Sequence, residues 1–196
     1  MRQDVARLER TVDQVLAAAR AARARRPQRE PIVLRDLLAI CAREVREQYH
    51  LAPEALRLEV EGDPVALGEE QELSLVFRNL LDNAVKYSGS AVDVQVRAGA
   101  DPEGGVRVEI DDQGVGIPRR ELRRIFQPFY RAGVEAQRRV KGLGLGLFIV
   151  RFLVRRQGGS VEAYSAGPGL GSRFVVRLRV SSGQQASARS APLAAQ

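Results

Sequence analysis

Two alternating apolar runs, Val92, Val94, Val96 and Val106, Val108, Ile110, flank the turn-rich stretch Asp101-Pro102-Glu103-Gly104-Gly105, and this arrangement constrains the fold most. A period of two places each set on one face of a strand, and so short a connection can only join strands antiparallel. Leu56, Leu58 and Val60 alternate in the same way, as do Val161 and Ala163, and then Phe174, Val176, Leu178 and Val180 beyond the turn Gly167-Pro168-Gly169. Helical spacing appears in Leu34, Leu37, Leu38, Cys41 and Val45, and again over 71–87, where Leu73, Val76, Phe77, Leu80, Leu81 and Ala84 share a side. Ser88-Gly89-Ser90 stops that helix, and a third helix over about 146–157 ends at Gly158-Gly159. Helices grouped with a largely antiparallel sheet predict an α+β fold, a two-layer α/β sandwich with a mixed, mostly antiparallel sheet and its helices on one face. A doubly wound sheet is disfavoured, because consecutive strands are joined by hairpin-length turns rather than crossover helices.

Length and composition bound the rest. The 196 residues, 44% of them hydrophobic, support one good core with a tail at each end. The expected divisions are a helix over 1–26, a linker over 27–31, a domain over 32–180 and a disordered tail over 181–196 rich in Ser, Ala and Gln. No apolar run approaches the roughly 18 to 20 residues of a membrane helix, and Met1 is not followed by a secretory pattern. A cytoplasmic setting is expected, with upstream membrane segments left open. The single Cys41 lies in an apolar helical stretch and reads as a buried small hydrophobe.

The net charge of +7 is concentrated rather than spread. Residues 1–29 carry eight arginines against three acids, 8 − 3 = +5, with few aromatics, so nucleic acid is not the expected partner. In the same stretch Val5, Leu8, Val12, Val15, Ala19 and Ala22 are spaced 3, 4, 3, 4, 3, the seam of a coiled coil or bundle. Roughly three heptads are too short to be stable alone, so the seam calls for a partner helix. Proline at position 27 ends it.

Three segments carry chemistry. Asn79-Leu80-Leu81-Asp82-Asn83-Ala84-Val85-Lys86-Tyr87 offers amide oxygens one helical turn apart plus a cation. Asp112-Gln113-Gly114-Val115-Gly116 sits where a strand meets a loop. Gly142-Leu143-Gly144-Leu145-Gly146-Leu147 offers backbone N–H groups running into an apolar helix, a receptor for phosphate at a helix N-terminus. In this order they point to Mg-ATP. Mg²⁺ takes hard oxygen ligands and keeps several waters, so the Asn83 carbonyl is the first choice of metal ligand, with Asn79 at i−4 on the same face able to reach the metal or a phosphate, or else facing solvent. Lys86 suits phosphate as a point charge; it and Lys141 are the two lysines among 31 basic side chains. The Asp112 carboxylate can accept from the adenine 6-amino group, where guanine would present a repelling carbonyl. Gly114 and Gly116 would let backbone approach the base. Asp111 alternates to the opposite, solvent-facing side.

These segments resemble the N box and the two glycine boxes of the catalytic and ATP-binding domain of sensor histidine kinases, within the ATPase superfamily that includes type II topoisomerases and mismatch-repair ATPases. Phe126-Gln127-Pro128-Phe129 resembles the F box, and the likeness covers about residues 32–180. The stretch through Ala17-Ala18-Ala19-Arg20 is similar to the end of the second dimerisation and phosphotransfer helix. The resemblance implies a Bergerat-type ATP-binding fold, with ATP and Mg²⁺ bound by Asn79, Asn83, Lys86, Tyr87, Asp112, Gly114, Gly116, Ile117, Arg131, Lys141, Gly142, Leu143, Gly144, Leu145, Gly146 and Leu147. It places Tyr87 near the base or at the pocket rim, and implies a lid within 119–141 positioned by Phe126 and Phe129. It implies as partners a phosphotransfer domain bearing the acceptor histidine and a response-regulator receiver domain, with a homodimer in the full-length context.

One departure from the wider superfamily bears on mechanism. Hydrolytic members carry Glu four residues before the metal-binding Asn, where it acts as base; here that residue is Asn79, and an amide cannot take the proton. A neutral imidazole acceptor needs no base, so positioning and charge stabilisation suffice for γ-phosphoryl transfer. The acceptor itself is missing: His50 is the only histidine, and Leu51-Ala52-Pro53 follows it instead of an acidic and a basic residue. The chain is therefore expected to bind ATP without phosphorylating itself. A protein that binds ATP without transferring phosphate, and a module that dimerises through the N-terminal seam, would carry the same residues.

Overall fold

The computed structural model describes residues 29–89, 91–132 and 143–180. The N-terminal seam, residues 27–28, Lys141, Gly142 and the tail lie outside the described residues.

Among the described residues, two sheets are formed. The small one pairs β1 (Glu30–Val33) antiparallel with β3 (Val65–Gly68). Strand β1 begins inside the stretch expected as linker, because Glu30 and Pro31 pair with Gly68 and Leu67. The large sheet runs β2-β4-β5-β7-β6, from β2 (Leu56–Val60), β4 (Val94–Ala100), β5 (Val106–Asp112), β6 (Ser160–Tyr164) and β7 (Ser172–Leu178). The expected hairpins β4–β5 and β6–β7 are antiparallel, and β5 also pairs antiparallel with β7. One pairing differs from the hairpin expectation: β2 and β4 are parallel. A parallel pair requires a crossover, and the chain makes it through β3 and the long helix that follows.

Three helices of the described residues cover one face of the large sheet. Helix α1 (Leu34–Tyr49) buries Leu34, Leu37, Leu38, Cys41, Ala42 and Val45, and His50 ends it in the left-handed conformation at φ 50°. Helix α2 (Glu70–Tyr87) buries Leu73, Val76, Phe77, Leu80, Leu81 and Ala84, and the Ser88 hydroxyl donates to the Ala84 carbonyl at 2.7 Å at its end. Helix α3 (Gly146–Arg156) buries Ile149, Val150, Leu153 and Val154. Against these stripes the sheet presents Leu56, Val94, Val96, Ala98, Val106, Val108, Ile110, Phe174, Val176 and Leu178, all in one core. Burying such side chains stabilises by about 1.5–3 kcal/mol each, and this joins the layers. Cys41 is within this core, where burial pushes its thiol up to about 12, so it stays an unreactive thiol.

The outer sheet face is a lattice of charge. Asp111 is paired with Arg97 at 2.8 Å and also with Arg173, and Arg97 reaches Glu109 at 3.2 Å. Asp111 does point away from the helices, yet its carboxylate is clamped between guanidinium groups rather than free in solvent. A concavity of about 740 Å³ lies over this face, lined by Arg107, Glu109, Asp111, Arg173 and Arg177 among others. Glu109 and Asp111 within it are already paired with the sheet's own arginines.

Candidate functional site

The two asparagines of α2 are brought to the start of α3. Asn79 is buried, 5% exposed, which removes the alternative that it faces solvent, and its Nδ2 donates to the Leu75 carbonyl at 2.7 Å. That leaves its carbonyl oxygen directed at Gly146, where an added Cβ would stand 3.1 Å from Asn79 Oδ1 and 3.9 Å from Asn83 Nδ2. Gly146 is the first residue of α3, so the amides and the first N–H groups of a helix N-terminus occupy one place. Leu145 precedes it and Leu147 follows, both half-buried, while Leu143 is exposed.

One turn beyond Asn83, the C-terminal end of α2 meets the Asp112 loop. Strand periodicity puts Asp112 on the same side as Val106, Val108 and Ile110, so its carboxylate enters the helix layer and is 5% exposed. Oδ1 accepts from the Gly114 N–H at 2.9 Å and Oδ2 from the Ser172 hydroxyl at 2.5 Å. Burial raises the Asp112 pKa above the ordinary carboxylate value, and the Ser172 and Gly114 donors pull it back part of the way. The glycines after it meet backbone. An added Cβ on Gly114 would come within 2.2 Å of the Tyr87 carbonyl oxygen, and one on Gly116, at φ 66°, within 2.1 Å of the Gly167 carbonyl oxygen. Their lack of a side chain therefore serves loop packing: Val115 N–H donates to the Tyr87 carbonyl at 3.0 Å, tying the loop to the end of α2. Ile117 is buried and its N–H donates to Ser165 Oγ at 3.0 Å.

Lys86 is half-buried on α2 and forms an ion pair with Asp82. Tyr87 is half-buried beside the Gly114 turn. The F-box aromatics separate. Phe126 is buried edge-on to Phe174 with ring centres 6.5 Å apart, and the Arg151 guanidinium lies 5.4 Å from its centre. Phe129, expected to pack, is 72% exposed at φ 61°; its N–H donates to the Gly144 carbonyl at 3.0 Å, so it ties the two loops by backbone. Arg131 is half-buried at the end of the described loop.

Sequence reasoning missed two groups that support the site. Ser172 faces Asp112 across the β5–β7 register, a pairing that strand alternation alone does not reveal. Glu72 near the start of α2 is buried and accepts from Arg156 Nε at 2.9 Å and from Gln157 Nε2, while Gln157 Oε1 accepts from the Glu69 N–H at 3.2 Å. Burial raises the Glu72 pKa against the lowering effect of Arg156. This cluster fixes the start of α2 to the end of α3, and so holds the asparagines against Gly146.

A family model described as histidine kinase-, DNA gyrase B- and HSP90-like ATPase matches residues 68–182, more than half of the chain. The chain belongs to this ATPase family. Within it, the chain is 40% identical over 117 residues to the sensor histidine kinase RcsC of Escherichia coli K12, and 35% identical over 118 residues to the sensor protein RprX of Bacteroides fragilis. Each match covers 59% of this chain but only 12% and 22% of those proteins, so the chain spans a small part of its relatives. Among solved structures it is similar to the mycobacterial sensor histidine kinase MprB, with a TM-score of 0.65 and 28% identity over 76% of this chain and 96% of that one. Full-length ShkA in complex with AMPPNP superposes with a TM-score of 0.68 and 28% identity, over 85% of this chain and 34% of that one. The fold is thus that of a histidine-kinase ATP-binding domain, with its five-stranded mixed sheet and helical layer. Among the described residues no helix is long and apolar enough to cross a membrane.

Proposed function

We propose that this domain holds Mg-ATP between α2 and α3 for transfer of the γ-phosphoryl group to a histidine on a phosphotransfer domain. The observation that carries this reading is the meeting of Asn79 and Asn83 with Gly146 at the α3 N-terminus. The Asp112 loop meets α2 at Tyr87, one turn beyond Asn83, giving the site a base end beside a phosphate end. Asp112 accepts from the adenine amino group, and Tyr87 lines that end. The N–H groups from Gly142 to Leu147 receive phosphate, assisted by Lys86, Arg131 and Lys141.

The donor chemistry also fits Mg²⁺. Among the described residues no group of three His, Cys, Asp or Glu forms a dedicated cage. Amide oxygens that share an ion with nucleotide phosphates match the way this cation is held, and Asn83 with Asn79 would supply them. When bound, the ion offsets charge on the phosphate oxygens. The protein's own work is orientation. In the transfer a neutral imidazole nitrogen bonds to the γ-phosphorus as the bond to the β–γ bridging oxygen breaks, and ADP leaves. Asn79 cannot act as a base, which suits an acceptor that needs none. The wider reading has the domain act within a dimeric sensor kinase on the cytoplasmic side, relaying phosphate to a receiver domain, with no nucleic-acid partner.

Calorimetric titration with ATP and GTP in Mg²⁺ tests the site. Binding of ATP in preference to GTP is expected, weakened at least tenfold by Asn83→Ala, and with adenine selectivity lost in Asp112→Asn. Equal affinity for the two nucleotides, or none for ATP, would reject the assignment.

A further inference from the structure

Lys86 is the flexible member of the proposed phosphate end, and the structure shows what holds it. A lysine on a flexible four-carbon stem loses rotamer entropy when fixed, so a phosphate-binding lysine gains from being oriented beforehand. Asp82 stands at i−4 with one carboxylate oxygen on Lys86 Nζ, in the more favourable order of acid before base on a helix. The other oxygen accepts from the Tyr49 hydroxyl, which comes from the last residue of α1. Gln48 Nε2 lies 3.5 Å from that same oxygen. The Asp82 and Lys86 side chains are 22% and 34% exposed, so the pair is partly withdrawn from solvent. An exposed helical pair of this kind is weak because both partners wander. Here the acid is fixed by a hydroxyl from a different helix, and the cation inherits that constraint.

We infer that Tyr49 and Asp82 are positioning residues that aim the Lys86 ammonium along the Asn79–Asn83 face of α2, where the nucleotide's phosphates lie. The inference rests on the nucleotide reading above. Asp82 directly precedes Asn83, and Lys86 follows it by three residues, so one carboxylate orders the cation nearest the proposed metal ligand. Nothing in the Asn79–Tyr87 segment announces Tyr49, which lies 33 residues from Asp82 in sequence.

The test separates phosphate recognition from packing. The 196-residue protein, Tyr49→Phe, Asp82→Asn, Lys86→Ala and the double variant Tyr49→Phe with Lys86→Ala are titrated with Mg-ATP by calorimetry and with adenosine by NMR. Tyr49→Phe and Asp82→Asn are each expected to weaken ATP about 3- to 10-fold and to leave adenosine unchanged. In the Lys86→Ala background the Tyr49→Phe loss should vanish, since coupled residues are not additive. Equal weakening of ATP and adenosine would mean packing alone and overturn the inference. So would the same loss in both backgrounds, or tighter ATP binding by Asp82→Asn, which would make the carboxylate a competitor of the phosphates. Unchanged ATP affinity in both single variants, with wild type binding normally, would overturn it and leave the nucleotide site standing. Absence of ATP binding by the wild type would overturn both.

Discussion

Asp112 is asked for two things that oppose each other: burial at the end of β5 and, in the proposed site, a charge with which to accept from adenine. Its folded pKa is raised by burial, so the group contributes stability below its unfolded pKa, and that contribution is lost as pH rises through the folded value. Near neutrality the ionised form is a cost to the fold. Asp112→Asn, which can still accept from Gly114 and pair with the Ser172 hydroxyl, is expected to raise stability by about 1 kcal/mol in urea unfolding at pH 7 while abolishing the preference for ATP over GTP. Affinity for ATP should run the other way with pH. It should fall on acidification at a pH above the ordinary carboxylate range, because protonation removes the charge and puts a donor on one of the accepting oxygens; titrations across pH 4 to 7 on wild type and Asp112→Asn, about the carboxylate pKa range, would check this. Gly116 gives a purely conformational prediction. Alanine there meets the Gly167 carbonyl at positive φ, and should cost about 2 kcal/mol or more in unfolding free energy.

At the scale of elements, the site depends on how α2 lies against α3. The proposed phosphate end requires Asn79 and Asn83 to face Gly146, and the Glu72, Arg156 and Gln157 cluster secures the far ends of the same two helices. Removing one partner of a buried pair leaves an uncompensated charge, so Arg156→Ala is expected to destabilise by about 3 kcal/mol. Chemical denaturation should show this, together with weaker ATP binding, although Arg156 is far from the proposed phosphates. Arg29 adds to the same corner, donating to the Arg156 carbonyl at 2.7 Å. The F box illustrates a divided role: Phe126 enters the core against Phe174, while Phe129 contributes its backbone to Gly144 and leaves its ring in solvent.

For the whole molecule, the matched family region and every described residue of the proposed nucleotide site lie between residues 68 and 182. A protein beginning at Arg29 is therefore expected to bind Mg-ATP with unchanged affinity, read by the same calorimetry. The lone histidine, His50, is the exposed cap of α1 rather than part of a paired helical bundle. No acid-labile label from γ-labelled ATP is expected on this chain alone. Label should appear on a supplied phosphotransfer domain, and its absence despite normal ATP binding would favour a domain that binds ATP without transferring it.

The helices and the two hairpins were legible because their information is local: apolar residues at periods of 3.6 and 2, with Gly, Pro and Ser at the breaks. The kinds of chemistry gathered at the candidate site were legible for a related reason, since its amide, carboxylate and glycine residues fall within short segments of chain. What sequence did not carry is pairing between distant segments. The β1–β3 sheet was missed because a four-residue strand holding a proline, Glu30–Val33, gives little alternation to read. The parallel β2–β4 pair, the Ser172 donor to Asp112 and the Tyr49 clamp on Asp82 share one cause: each depends on which elements become neighbours. Local sequence determined the elements and the kinds of chemistry they bear. Tertiary structure decided which side chains would be buried, paired and aimed, because those energies depend on partners that only the folded chain brings together.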